Sequence, residues 1–126
     1  MKARPDIIRV AIVEDDPDYR TGLSMLFEHT PGHTLAAVFP DAADAVAAAE
    51  DGAVVGWDLV LMDIEMPVMD GLEATEIIKK RWPHIKVIIL TLYTDYLLQA
   101  HQAGADAFLV KGCSTEELRA TICAQN

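Results

Sequence analysis

Four apolar runs in this chain end on polar side chains. Residues 10–13 lead into Glu14, Asp15 and Asp16, residues 59–62 into Asp63, residues 87–90 into Thr91, and residues 107–110 into Lys111. Two carboxylates ~4 Å apart repel by about 4 kcal/mol at an effective dielectric of about 20. A bare cluster of them would therefore hold a proton at neutral pH. A hard divalent cation removes that penalty. Magnesium takes oxygen ligands octahedrally and keeps several waters, which leaves room for a substrate phosphate. Glu14, Asp15 and Asp63 together carry as much negative charge as Mg²⁺ and Lys111 carry positive. A carboxylate can also be the nucleophile, as in aspartyl-phosphate formation, with Mg²⁺ and a lysine stabilising the equatorial oxygens. Thr91 could donate a hydroxyl hydrogen bond to the product.

Taken singly, each of these residues has an ordinary role. Asp16 precedes Pro17 and reads as a helix N-cap followed by the first helical residue. A lone lysine could be a surface residue, and a lone threonine an ordinary strand residue. Their joint placement is the signal, so the elements that position them matter.

Five β-branched or aliphatic segments, residues 9–14, 34–39, 58–62, 86–91 and 106–111, alternate with five helical stretches. Three of the segments are continuously apolar, as strands buried on both faces of a parallel sheet are. The first helix opens at Asp16-Pro17 and closes before Pro31-Gly32. Asp41 caps an alanine-rich helix over residues 42–50, and residues 71–82 form a third that Pro83 ends. Residues 96–103 form a short fourth that stops at Gly104. Ser114-Thr115-Glu116-Glu117 is a capping box for the last. The order is (βα) five times. Crossover helices make the strands parallel and the connections right-handed, which predicts a doubly wound α/β fold around a five-stranded parallel sheet. In such sheets, sites form outside the carboxyl ends of the strands at the topological switch point. Four of the five strands deliver polar groups there; the second ends in Phe39-Pro40 and offers none.

Composition narrows the function. The chain has 126 residues, 52% of them hydrophobic, with a formal charge of −10. That is enough apolar material for one domain's core and excludes intrinsic disorder. A twofold excess of acids over bases argues against nucleic-acid binding, which needs clustered Lys and Arg. No apolar run approaches the roughly 18–20 residues of a membrane span, and the N-terminal stretch does not read as a signal peptide. Cys113 and Cys123 lie too far apart on one helical stretch for a disulfide, which fits a reducing, cytoplasmic setting. His29, His33, His84 and His101 form no ligand pattern. Met62, Met66 and Met69 read as packing residues. No glycine-rich phosphate loop is present.

The segment Asp63-Ile64-Glu65-Met66-Pro67-Val68-Met69-Asp70-Gly71 is distinctive. Together with Val13-Glu14-Asp15-Asp16-Pro17, Leu90-Thr91 and Ala103-Gly104-Ala105-Asp106-Ala107-Phe108-Leu109-Val110-Lys111, it closely resembles the receiver domain of two-component response regulators. The Lys111-Gly112-Cys113-Ser114-Thr115 stretch resembles the NarL/LuxR-type subgroup. The resemblance implies a flavodoxin-like receiver fold spanning residues 1–126, with residues 1–6 a flexible lead. It implies Asp63 as phosphoacceptor, Asp15 as a direct Mg²⁺ ligand, Glu14 acting through metal-bound water, and the Glu65 backbone carbonyl as a further ligand. Lys111 would hold the phosphoryl group. Thr91 and Phe108 would be the switch pair. Glu65, Leu92 and Tyr93 would control access and phosphoryl lifetime.

The implied partner is a histidine kinase or phosphotransfer protein. A homodimer is compatible with the resemblance, and neither a membrane nor nucleic acid is expected to bind this domain directly. The implied output is transcription, through an attached or partner DNA-binding domain. No enzyme activity is expected beyond self-phosphorylation and slow autodephosphorylation. Three features depart from the family pattern: Glu14 for the usual Asp, Leu92 for a small residue, and a segment 92–102 about two residues short. Two other readings remain at this stage. One is a receiver-like interaction module independent of phosphorylation, and the other a Mg²⁺-dependent phosphohydrolase with Asp63 as nucleophile.

Overall fold

The aliphatic runs become strands β1 (Ile8–Val13), β2 (His33–Phe39), β3 (Leu59–Met62), β4 (Lys86–Thr91) and β5 (Ala107–Val110). They alternate with helices α1 (Pro17–His29), α2 (Ala42–Glu50), α3 (Gly71–Arg81), α4 (Leu97–Gln102) and α5 (Thr115–Ala124), plus 3-10 turns at Ala53–Gly56 and Thr94–Tyr96. The computed structural model describes residues 7–125. The lead expected at residues 1–6 lies outside the described residues.

All pairings are parallel, and the sheet order is β2-β1-β3-β4-β5. This is the expected doubly wound fold, with its switch point between β1 and β3. Alternation along the strands divides the core. Val10 and Ile12 face Leu23 and Phe27 of α1 and Leu118 and Ile122 of α5. Ala11 and Val13 face the other way, toward α2 and α3 residues such as Ala45, Ala74 and Ile78. Register aligns the strand ends: Val13 pairs with both Phe39 and Met62, and Thr91 with Val110. The residues that follow these pairs are thereby delivered to one edge.

Capping fixes where the helices begin. The Asp16 carboxylate accepts from the Asp18 N–H (3.0 Å), Asp41 from Asp44 (2.8 Å), Asp70 from Glu73 (2.8 Å) and the Ser114 hydroxyl from Glu117 (3.0 Å). Each such cap contributes about 0.5–2 kcal/mol. The fourth helix differs from expectation. Thr94–Tyr96 is a 3-10 turn, and the α-helix starts only at Leu97, six residues long and without a side-chain cap. At the opposite edge of the sheet, the Lys79 ammonium donates to Pro83 O, Ile85 O and Asp106 Oδ2 at 2.9–3.0 Å, tying α3 to β4 and the turn before β5. Among the described residues no helix is long and apolar enough to cross a membrane. Cys113 and Cys123 are free thiols.

Candidate functional site

The sheet ladder runs one residue past the strands and so places the polar groups. Glu14 N–H donates to Phe39 O (3.0 Å), Asp63 N–H to Val13 O (3.0 Å) and Lys111 N–H to Thr91 O (2.8 Å). The side chains then meet. The Lys111 ammonium lies 2.7 Å from Glu14 Oε1 and 3.5 Å from Asp63 Oδ2. The other Glu14 oxygen accepts from the Asp16 N–H at 3.0 Å, and Asp63 Oδ1 accepts from the Ile64 N–H at 2.9 Å. Glu14, Asp63 and Thr91 are buried, whereas Asp15 is exposed. One carboxylate oxygen from each of Glu14, Asp15 and Asp63 lies within 4.8 Å of the others.

This crowding shifts the titration of Asp63. Burial, then the neighbouring Glu14 charge, pushes its carboxyl up to about 7, although Lys111 and the Ile64 N–H pull it back. The direction is the one expected from sequence for a bare cluster of carboxylates. For Lys111, burial alone would lower the pKa. Its contacts with Glu14 and Asp63 outweigh that and raise it. Three convergent carboxylates, two of them buried beside a single ammonium, are a donor set suited to a hard cation. They open onto a cleft of about 190 Å³, lined by Asp15, Asp16, Asp63, Glu65, Thr91, Leu92, Tyr93 and Lys111. A larger apolar groove of about 560 Å³ runs between α1 and α5 and holds none of the triad.

A sequence model of the response regulator receiver domain matches residues 10–123. The chain belongs to the response regulator receiver family. It is 36% identical over 118 residues to the response regulator UvrY of Escherichia coli (strain K12), an alignment covering 92% of this chain and 53% of UvrY. The chain spans about half the length of the curated relatives it matches. Among solved structures, a DNA-binding response regulator of the LuxR family from Staphylococcus aureus superposes with a TM-score of 0.85 at 31% identity, over 94% of this chain and 98% of that one. The response regulator TrrA of Thermotoga maritima, solved in complex with Mg(2+)-BeF, does so with 0.84 at 29% identity, over 95% and 100%.

Most of the residues expected at the receiver's site converge there. Glu65, Leu92 and Tyr93 line the cleft with Asp63; Leu92 and Tyr93 are exposed. The Thr91 hydroxyl oxygen accepts a long bond from the Tyr93 N–H (3.4 Å). Phe108 stands apart. Its ring is half-buried against the α2–α4 face of the core and lines a separate small cavity with Leu97, Ala100 and His101. The receiver's β3–α3 loop holds two features that sequence reasoning missed. A Cβ on Gly71 would lie 1.7 Å from Asp63 O, so only glycine lets α3 start against the Asp63 backbone. Val68 sits at φ 72 as the middle residue of a γ-turn closed by Met69 N–H to Pro67 O (2.9 Å). That is a strained geometry for a β-branched residue. Arg20 was missed too: its guanidinium donates to Glu14 O at 2.8 Å and steadies the acidic turn. A glycine at the first helical position is an unfavoured choice that could have flagged Gly71. The other two carry no such signal.

Proposed function

We propose that this receiver accepts a phosphoryl group on Asp63 from a phosphohistidine donor, a histidine kinase or phosphotransfer protein. The observation that carries the reading is the buried Asp63 carboxylate beside Lys111, completing a cation-suited triad with Glu14 and Asp15 at the switch-point edge. In the transfer, an Asp63 carboxylate oxygen forms a bond to phosphorus as the donor's P–N bond breaks and the imidazole leaves. The Ile64 N–H donates to Asp63 Oδ1, which leaves Oδ2, the oxygen nearer Lys111, as the attacking atom. Lys111 stays anchored on Glu14 while its remaining donors face the incoming oxygens. Thr91, at the end of β4, supplies a hydroxyl to the product.

Mg²⁺ is the cation that suits this site; when bound, it supplies positive charge for the carboxylates and for the oxygens of the transferred group. Asp15 and Asp63 would ligate it directly, with the Glu65 carbonyl. Glu14, already committed to Lys111 and the Asp16 N–H, would act through water. The acyl phosphate adds about −1.5 to −2 charges and new acceptors. It therefore favours loop conformations that present donors, with Thr91 and Phe108 as the moving pair. Glu65, Leu92 and Tyr93 at the cleft mouth set how water reaches the acyl phosphate, whose hydrolysis is the only turnover expected. The output is transcriptional control through an attached or partner DNA-binding domain, the arrangement that the names of its transcription-regulating relatives suggest. The test is intact-protein mass after incubation with a small phosphodonor and Mg²⁺. Wild type gains one phosphoryl group and Asp63→Ala gains none; no gain in wild type overturns the reading.

A further inference from the structure

We propose that Tyr19 is a positioning residue for Lys111, its ring face holding the ammonium between Glu14 and Asp63 for phosphoryl transfer. The inference rests on the receiver reading of Lys111. Tyr19 lies in the first turn of α1, directly after the cap formed by Asp16. The Lys111 Nζ sits 4.8 Å from its ring centroid, within cation–π range. The carboxylates of Glu14 and Asp63 take the same ammonium at 2.7 and 3.5 Å. With a side chain only 10% exposed, the ammonium is largely withdrawn from water, where a ring's quadrupole counts for most.

A ring suits this position for a physical reason. Lysine has a long, flexible stem and a compact charge, so two oxygens on one side leave it free to swing. A third carboxylate would restrain it but would also add repulsion to a cluster that already holds Glu14, Asp15 and Asp63 together. The ring restrains it without adding a formal charge, so the ammonium remains available to the oxygens of an incoming phosphoryl group.

Tyr19 is half-buried beside the turn that follows the lysine. Gly112 lines the same groove as Tyr19, and burial raises the phenol's pKa. Gly112 is at φ 95, where the chain turns out of β5. Tyr19 lines this apolar groove with Leu26, Cys113 and Leu118. An aliphatic replacement can therefore keep the groove filled while removing the ring.

The test compares wild type with Tyr19→Phe, Tyr19→Leu and Tyr19→Met in the full chain. Two readouts are needed. In the first, ¹³C,¹⁵N-lysine NMR with Lys111→Arg for assignment, the Lys111 ε protons are shifted upfield by the ring in wild type and Tyr19→Phe and lose that shift in Tyr19→Leu and Tyr19→Met. In the second, the initial rate of labelling by phosphoramidate with Mg²⁺, the Leu and Met variants are slower by about three- to tenfold, a change of about 1 kcal/mol in the barrier. Tyr19→Phe stays within about twofold of wild type. Equal labelling rates in all four proteins, or a Lys111 shift that ignores the ring, overturns the proposal and leaves the receiver reading intact. A wild type that takes no label overturns the receiver reading itself, whatever the NMR shows.

Discussion

If burial and the Glu14 charge hold the Asp63 carboxyl near neutrality, removing its charge should stabilise the metal-free protein, increasingly so as pH rises. The folded protein binds this proton up to a pH of about 7, whereas an unfolded aspartate releases it near the ordinary 3.8. The stabilisation from the protonated group is full below the unfolded value and is lost as pH climbs through the folded one. Three pKa units at 1.36 kcal/mol each give a total of about 4 kcal/mol. Asp63→Asn replaces the carboxyl with a neutral group of the same shape and leaves Lys111 paired with Glu14 at 2.7 Å. The assay is urea unfolding of wild type and Asp63→Asn at several pH values, with a chelator present. The linkage relation puts the growth of the variant's advantage between about pH 5 and 8 at about 2–3 kcal/mol. Titrating groups away from the cluster act alike in both proteins and cancel in the difference. Parallel curves, or a variant that loses ground as pH rises, would refute the reasoning.

Three further outcomes follow from the site and its loop. Val68→Gly relieves a β-branched residue at φ 72; offset by the glycine's greater unfolded-state freedom, it should stabilise the protein by about 0.5–1 kcal/mol in the same urea assay. Gly71→Ala forces a Cβ to within 1.7 Å of Asp63 O; unfolding should become easier by about 3 kcal/mol, with slower labelling because Asp63 shifts with its backbone. Replacing both Glu65 and Tyr93 by alanine, which opens the cleft mouth, should change the acyl-phosphate lifetime several-fold in a time course of label loss; an unchanged decay constant counts against their role.

The strand ends were legible because a parallel strand buried on both faces is an unbroken apolar run, and the first polar residue after it marks the sheet edge. Glu14, Asp63, Thr91 and Lys111 could therefore be grouped before any geometry was known. Helix starts at Asp16, Asp41 and Ser114 follow from side chains able to cap, and Asp70 caps α3 in the same way although it was not read from the sequence. The fourth helix has no such cap, so the sequence carried no mark separating the 3-10 turn at Thr94–Tyr96 from the helix at Leu97. Tyr19 and Lys111 lie at opposite ends of the chain and meet only because α1 and α5 cover the same sheet face. Val68 gave no warning, since valine is a residue type that a positive φ disfavours. Phe108 shows the limit of placing by strand alone: two residues before Val110, the partner of Thr91, its ring packs toward α4 and leaves the acceptor cleft to other side chains.

The most direct test is to locate the modified residue. Wild-type protein is labelled with a small phosphodonor and Mg²⁺, reduced with borohydride to convert any aspartyl phosphate to homoserine, and sequenced by peptide mass spectrometry. The account predicts homoserine at position 63 and nowhere else. Homoserine at another aspartate, or a phosphoryl group retained on a different residue type, would contradict it.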